Sequence, residues 1–209
     1  MPTGAAQTLA VDFNQTNALM YAAHFGRIDM IKLLLAMPTG AQQTLAKDLS
    51  KSNALMIAVN KQNVNIVKLL LAMPTVTAQV QAVKMNGENL LMAATQNGNA
   101  DIVRMLLAKD LDGQQANFTG NEFGVNALMI AAQNGNTNIV QMLMATPTAT
   151  AQAKKTDKAG KNALMAASQN GHVDIVKLLL ARGADLKAKT TADFTPLLFA
   201  AREGAMDAA

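Results

Sequence analysis

The feature that most limits how this chain can fold is a phrase that returns at nearly constant spacing. Asn17-Ala18-Leu19-Met20 recurs as Asn53-Ala54-Leu55-Met56, Asn89-Leu90-Leu91-Met92, Asn126-Ala127-Leu128-Met129 and Asn162-Ala163-Leu164-Met165, and in looser form as Thr195-Pro196-Leu197-Leu198. Their first residues lie 36, 36, 37, 36 and 33 positions apart. A second phrase keeps the same phase: Met1-Pro2-Thr3-Gly4-Ala5 returns as Met37-Pro38-Thr39-Gly40-Ala41 and begins again at Met73-Pro74-Thr75. The spacing assigns repeats 1–36, 37–72, 73–108, 109–145 and 146–181, with a partial repeat over 182–209. A unit this short cannot bury its own apolar face, so each must shelter the next. The expectation is one repeat array over 1–209 with an all-α fold.

Within each repeat the residues predict two helices and a connector. The first helix opens at the Asn, whose side-chain oxygen can cap N–H groups two or three residues on. Ala-Leu-Met-x-Ala-Ala follows, good helix formers with small residues where another helix can approach. Asn97-Gly98, Asn134-Gly135 and Asn170-Gly171 end it, because Asn and Gly tolerate the left-handed conformation of a helix terminus. The first repeat uses Phe25-Gly26, and the second has Gln62 at that point. The second helix starts near Asp29, Asn65, Asp101, Asn138 and Asp174, the acids suiting the positive end of the helix dipole. In Ile66-Val67-Lys68-Leu69-Leu70-Leu71 apolar side chains fall on one face and Lys68 on the other. Pro38, Pro74 and Pro147 close the helix just past its last turn.

Two segments carry a family resemblance: Asp193-Phe194-Thr195-Pro196-Leu197-Leu198-Phe199-Ala200-Ala201-Arg202-Glu203-Gly204, and Gly171-His172-Val173-Asp174-Ile175-Val176-Lys177-Leu178-Leu179-Leu180-Ala181-Arg182-Gly183-Ala184-Asp185. Both resemble the ankyrin-repeat pattern, and the resemblance extends over essentially the whole chain. It implies a solenoid of stacked antiparallel helix pairs with turns or short hairpins projecting at right angles. The chain departs from the pattern in informative ways. Asn stands where the family has Thr in five repeats, followed by Ala in place of Pro in four of them and by Leu90 in the third, and Met20, Met56, Met92, Met129 and Met165 replace the family's His. The connector from the second helix to the next cap is 15 residues from Leu180 to Thr195 but 18 or 19 elsewhere. The surplus is expected in the projecting loops, making them longer or irregular.

The interior should be lined by Leu19, Leu55, Leu91, Leu128, Leu164 and Leu197. Paired alanines at Ala22-Ala23, Ala93-Ala94, Ala131-Ala132, Ala166-Ala167 and Ala200-Ala201 should let helices come close. Neither terminus carries the polar outer face with which a solenoid is usually capped. The expectation is a piece of a longer array, or a chain whose open ends are covered by neighbours.

For function, the resemblance implies a partner bound at the loop tips and the exposed side of the first helix. Carried over position by position, the candidates are Phe13, Thr16, His24 and Phe25; Leu49, Ser52, Asn60 and Lys61; Met85, Glu88, Gln96 and Asn97; Phe123, Val125, Gln133 and Asn134; and Ala159, Lys161, Gln169 and Asn170. Phe13, Phe25 and Phe123 stand out, because six Phe and one Tyr are the only aromatics and aromatics anchor interfaces. They either serve that role or fill gaps beneath the loops. The amides Gln96, Gln133 and Gln169 with Asn97, Asn134 and Asn170 either bond along the stack, serve local turn geometry, or offer a regular surface to a ligand.

Other classes are weak. Cysteine is absent and the two histidines, His24 and His172, are 148 positions apart, so no protein metal site or thiol nucleophile is expected. Fourteen methionines could in principle hold copper(I), but one per repeat at a helix start reads as core. No apolar run approaches membrane-spanning length. Residues 1–145 carry nine basic and eight acidic side chains, and 146–209 carry nine against six, too mild a surplus for nucleic acid. Lys154, Lys155, Lys158 and Lys161 make one basic cluster, suited to a solvated loop or a partner's acidic patch. No catalytic constellation, cofactor motif or phosphate-cradling loop is present. The reading is therefore a non-enzymatic module for a protein partner, with end-to-end self-assembly into a structural filament as the alternative.

The alanine pairs give a direct test. Ala131→Leu should overpack its helix contact and cost about 1–3 kcal/mol, read as a lower midpoint in thermal or urea unfolding.

Overall fold

The structure is a computed structural model that describes residues 9–110 and 115–207, with side chains up to Arg202. The repeated Met1–Ala5 phrase lies outside the described residues. The chain divides into two compact units, Met1–Lys109 and Asp110–Ala209.

In the first unit the helices are α1 (Ala18–His24), α2 (Ile28–Ala36), α3 (Gly40–Leu45), α4 (Ala54–Asn60), α5 (Val64–Leu71), α6 (Val76–Val80), α7 (Leu90–Gln96) and α8 (Ala100–Leu107). Helices α1, α4 and α7 pack in sequence as one row, and α2, α5 and α8 as a second. Each member of the first row also packs on the helix that follows it. The second unit repeats the plan with α9 (Ala127–Gln133), α10 (Thr137–Met144), α11 (Ala149–Lys154), α12 (Ala163–Gln169), α13 (Val173–Ala181) and α14 (Pro196–Asp207). There α9, α12 and α14 make the first row, while α10 packs on α13. Among the described residues no strand forms, and two isolated bridges join Val11 to Asn17 and Val83 to Asn89. Each unit is thus an all-α stack of helix pairs.

The repeated Asn does more than cap. In Asn17, Asn53 and Asn126 the side-chain Oδ1 accepts the N–H of Met20, Met56 and Met129 at 2.9, 2.8 and 2.9 Å. The Nδ2 of the same side chains donates to the carbonyls of Gln43, Gln79 and Gln152 at 3.0, 3.0 and 3.2 Å. All three amides are buried, and each partner carbonyl lies 26 residues ahead, in the connector leading to the next repeat. A Thr at this position could cap but could not reach forward. That is the gain from departing from the family pattern here.

The connector itself corrects one expectation. In the connectors leading to Asn53, Asn89 and Asn162 the surplus residues do not enlarge the projecting tip; they form the short helices α3, α6 and α11 at its base. Each follows the Met/Thr-Pro-Thr phrase, where proline has just ended the preceding helix. Four residues after the Thr stands a glutamine, Gln43, Gln79 or Gln152, and all three are fully buried. Gln79 Nε2 donates to Thr75 Oγ1 at 2.8 Å and to the Leu70 carbonyl at 3.3 Å. Gln152 Nε2 donates to Thr146 and Thr148 hydroxyls at 2.9 and 3.0 Å. A hydroxyl pair, Thr44 to Thr75 at 2.7 Å, ties α3 to α6. Gln79 thereby satisfies the Leu70 carbonyl at the end of α5, whereas the buried amide group of Gln43 has no hydrogen-bond partner among the described residues.

With the surplus absorbed, the tips are tight and alike. Asp12 Oδ1 accepts from Asn14 and Thr16 N–H, Asp48 Oδ1 from Ser50 and Ser52, and Asp157 Oδ1 from Ala159 and Lys161, all at 2.8–2.9 Å. One residue per tip is left-handed: Gln15, Lys51, Gly87, Gly124, Gly160 and Asp193. Gln62, where neighbouring repeats have glycine, also accepts this conformation, at φ 55°. Adjacent tips are joined by single backbone bonds, Leu49 N–H to Asn14, Met85 to Ser50, Lys158 to Phe123 and Thr191 to Ala159, at 2.9–3.0 Å.

Leu19, Leu55, Leu91, Leu128 and Leu164 are buried as expected, and the five methionines that follow them pack in the core. Leu197 departs: it is 70% exposed, and Ala200 and Ala201 are exposed too. The five buried leucines sit in helices that each also pack on the helix that follows them, whereas among the described residues α14 packs on α12 alone. The second helices also start one turn position earlier than read, with Asn63 and Asn99 capping Ile66 and Ile102 at 3.2 and 3.1 Å.

The double duty of the Asn is separable. Asn53→Thr should keep the cap and lose the forward bond, costing about 0.5–1.5 kcal/mol. Asn53→Ala loses both and should cost about 1 kcal/mol more, the order being read from urea unfolding midpoints.

Candidate functional site

In the first unit the position four residues before each capping Asn is apolar and stands at a tip. Phe13 is 89% exposed, Leu49 54% and Met85 70%. The backbone bonds between tips hold these three side chains in one row. An apolar side chain kept in water by a well-ordered turn leaves burial energy unused until something covers it. Phe13 and Phe25, the latter 63% exposed, fill no gap beneath a loop, and neither does Phe123 at 64% in the second unit.

Helix α1 adds an aromatic face beside the Phe13 tip. The rings of Tyr21 and Phe25 lie parallel, 6.3 Å apart, and His24 meets Phe25 edge-on at 4.9 Å. Tyr21 lies one turn after its cap, where other repeats carry Ile57, Ala93, Ile130 or Ala166. Its hydroxyl donates to Asp12 Oδ2 at 2.7 Å, while Asp12 Oδ1 holds the turn. One carboxylate therefore fixes the tip against the helix and orients the aromatic cluster. The tyrosine hydrogen bond, with those from the Thr16 and Asn14 backbone, lowers the Asp12 carboxyl below its ordinary range. Bonding to that carboxylate, and its charge, raise the Tyr21 phenol above 10.0.

The remaining sequence candidates are placed as follows. Asn60 and Lys61 are exposed at the end of α4, where Lys84 Nζ reaches Asn60 Oδ1 at 3.5 Å and Glu88 Oε2 at 2.5 Å. Gln96, Gln133 and Asn134 are exposed. Among the described residues the amide side chains do not bond one another: Asn97 Nδ2 donates along the stack to the Val59 backbone carbonyl of the preceding repeat at 3.3 Å, and Asn170 Nδ2 within its own repeat to the Ala166 carbonyl at 2.8 Å. The Gln133 carbonyl meets His172 Nε2 at 3.1 Å. Lys161 and Gln169 do come together, Nζ to Oε1 at 2.5 Å. Their surroundings include Phe194, Phe199 and Arg202, which sequence reasoning passed over. The signal was available, since Phe199 occupies the register of Tyr21, and Arg202 that of His24 and the glutamines.

Among the described residues no group of three His, Asp or Glu side chains could hold a metal ion. No helix among them is long and apolar enough to cross a membrane.

Comparison with known proteins agrees with this geometry. A family model described as ankyrin repeats (3 copies) matches at residues 4–82, 40–120, 73–157, 91–190 and 128–209. A comparison with curated protein sequences finds no match. Among solved structures, the chain is similar to a chain in the complex of the Bd0816 predatory endopeptidase from Bdellovibrio bacteriovorus with immunity protein Bd3460. Identity is 25% and the TM-score 0.77, covering 94% of this chain and 95% of that one.

Tyr21 is the sole tyrosine, so its link to Asp12 can be read optically. Ultraviolet titration of the wild type should give a phenol midpoint above 10.0, and Asp12→Asn should move it down toward that value. The signs follow from the directions of shift. The raised phenol contributes stability that is fully present below its ordinary value and is lost as pH rises through the folded one. The lowered Asp12 carboxyl contributes stability above its ordinary 3.8 that is lost as pH falls through the folded value.

Proposed function

Because the chain belongs to the ankyrin-repeat family, we propose that it is a non-enzymatic interaction module that takes one face of a protein partner on its first unit. The reading treats the repeats as one array, as their spacing predicts, and places the contact on the tip row and the exposed face of α1. The observation that carries it is the row Phe13, Leu49 and Met85, exposed in register and flanked by Phe25. The turn hydrogen bonds, the tip-to-tip backbone bonds and the Asp12–Tyr21 contact preorganise that row, which lowers the ordering cost of association. Asn60, Lys61 and Gln96 supply a polar rim on the same helix row, as interfaces commonly have. The solved complex of an endopeptidase with an immunity protein, in which a similar chain is found, supports a folded protein as the class of partner.

The test is affinity capture with the wild-type chain and with Phe13→Ala/Phe25→Ala. Both side chains are exposed, so the double variant should unfold within about 0.5 kcal/mol of wild type. Its capture of the wild-type partner should fall by at least about 30-fold, as for interface hot spots. Undiminished capture would overturn the assignment of this face. Light scattering over a concentration series reads the alternative directly: a mass that grows with concentration in the wild type would identify the partner as further copies of the chain.

A further inference from the structure

The second unit holds a cavity that the proposed face does not use. It has a volume of about 220 Å³ and opens between the tips at Ala159 and Thr191. Phe194 and Phe199 give it an apolar floor, their rings 5.4 Å apart. Two cations, Lys161 and Arg202, stand on its wall, and among the described residues no carboxylate lines it. Gly160 makes the close approach of the two tips possible: a Cβ there would lie 3.0 Å from Thr190 Cα, and its φ is +79°.

Lys161 is held rather than free. Its Nζ donates to Gln169 Oε1 at 2.5 Å and sits 5.7 Å from the centre of the Phe199 ring. Both neighbours are neutral. Asp157, the acid whose charge acts on Lys161, spends Oδ1 on the backbone N–H groups of Ala159 and Lys161. Burial pushes the Lys161 ammonium below its ordinary value, against the opposing pull of Asp157. Arg202 makes no ion pair among the described residues, while Lys189 nearby is matched by Asp193 at 3.0 Å. The same register two repeats earlier shows the contrast: Glu88, at the position of Lys161, is neutralised within the chain by Lys84 at 2.5 Å. In the second unit this position presents a cation that lies over an aromatic ring and makes no ion pair with a carboxylate among the described residues.

We propose that this cavity receives the glutamate side chain of an extended segment of the protein partner. Its methylenes would lie on Phe194 and Phe199, and its carboxylate would be shared by Lys161 and Arg202. The apolar floor favours a carboxylate on an aliphatic stem over a bare anion, and charge-assisted bonds to two donors set the preference for Glu over Gln. The inference rests on the interaction-module reading for its occupant, but uses none of the residues of the first-unit face.

The test uses the full chain, isotopically labelled for amide resonances, titrated with the peptide acetyl-Ala-Glu-Ala-amide and with its Gln counterpart. Saturable shifts at Lys161, Thr191 and Phe199 are expected with the Glu peptide. Binding should be about tenfold weaker with the Gln peptide, and about tenfold weaker for the Glu peptide in Lys161→Met and in Arg202→Gln. Equal binding of the two peptides, or no saturable shift up to about 10 mM, would overturn the proposal. Inorganic phosphate matching the Glu peptide in affinity would also overturn it, by making the site one for anions in general. Phe13→Ala/Phe25→Ala must bind the Glu peptide as wild type does. Loss of partner capture in that double variant with peptide binding intact supports both readings. Failed peptide binding with capture intact removes the cavity alone, and capture unaffected by the double variant removes the first-unit face alone.

Discussion

A helix pair of this size has one apolar face and nothing of its own to cover it, so the structure depends on what fastens each repeat to the next. Here the fastening begins with one buried amide. The oxygen of Asn17, Asn53 or Asn126 closes its own helix start, and the nitrogen reaches the following connector at 3.0–3.2 Å. An amide is the smallest side chain that both accepts and donates in fixed geometry. The leucine and methionine behind it are consequently placed in the interior in every one of these repeats, and the alanines let the next helix approach.

That fastening also governs the surface. Each forward bond ends on the carbonyl of a buried glutamine in α3, α6 or α11, so the short helices are pinned at the base of the connectors. The tips are tight turns held by Asp12, Asp48 or Asp157 and linked by backbone bonds. Rigid tips turn single exposed residues into rows. In the first unit the row is apolar, Phe13, Leu49 and Met85; in the second unit the corresponding positions are Glu122, Lys158 and Thr191. The two units thus offer different chemistry on one backbone plan, an aromatic and aliphatic ridge in one and a cationic cavity floored by phenylalanines in the other. An interaction module gains selectivity from such differences, because a partner must match the charge as well as the shape.

Several features were legible in the residues because they depend on period and local capping. The helix pairs, the burial of Leu19 through Leu164, and the role of Asn as a cap followed from spacing and side-chain chemistry. The candidate residues Phe13, Phe25 and Phe123 were named from scarcity and position, though nothing in their identity said whether they face water or fill a void. The contact of Lys161 with Gln169 was not legible, since eight positions separate them and their meeting depends on how a tip folds back on a helix. Tyr21, Phe199 and Arg202 were masked by registers that carry small or neutral residues elsewhere. The surplus residues of three connectors read as tip residues because propensity alone cannot tell a short helix from a loop when what holds it is an amide 26 positions away.

The sequence by itself determined the repeat, its two main helices, five of the six repeated leucines of the interior and the family, because periodicity and capping act within a few positions of the chain. Only the tertiary structure decided where the surplus residues go, which aromatics stay in water, and that Leu197 lies open while its five counterparts are covered. Those outcomes depend on contacts between residues 26 or more positions apart, and on which neighbour each helix meets, and no local pattern carries that information.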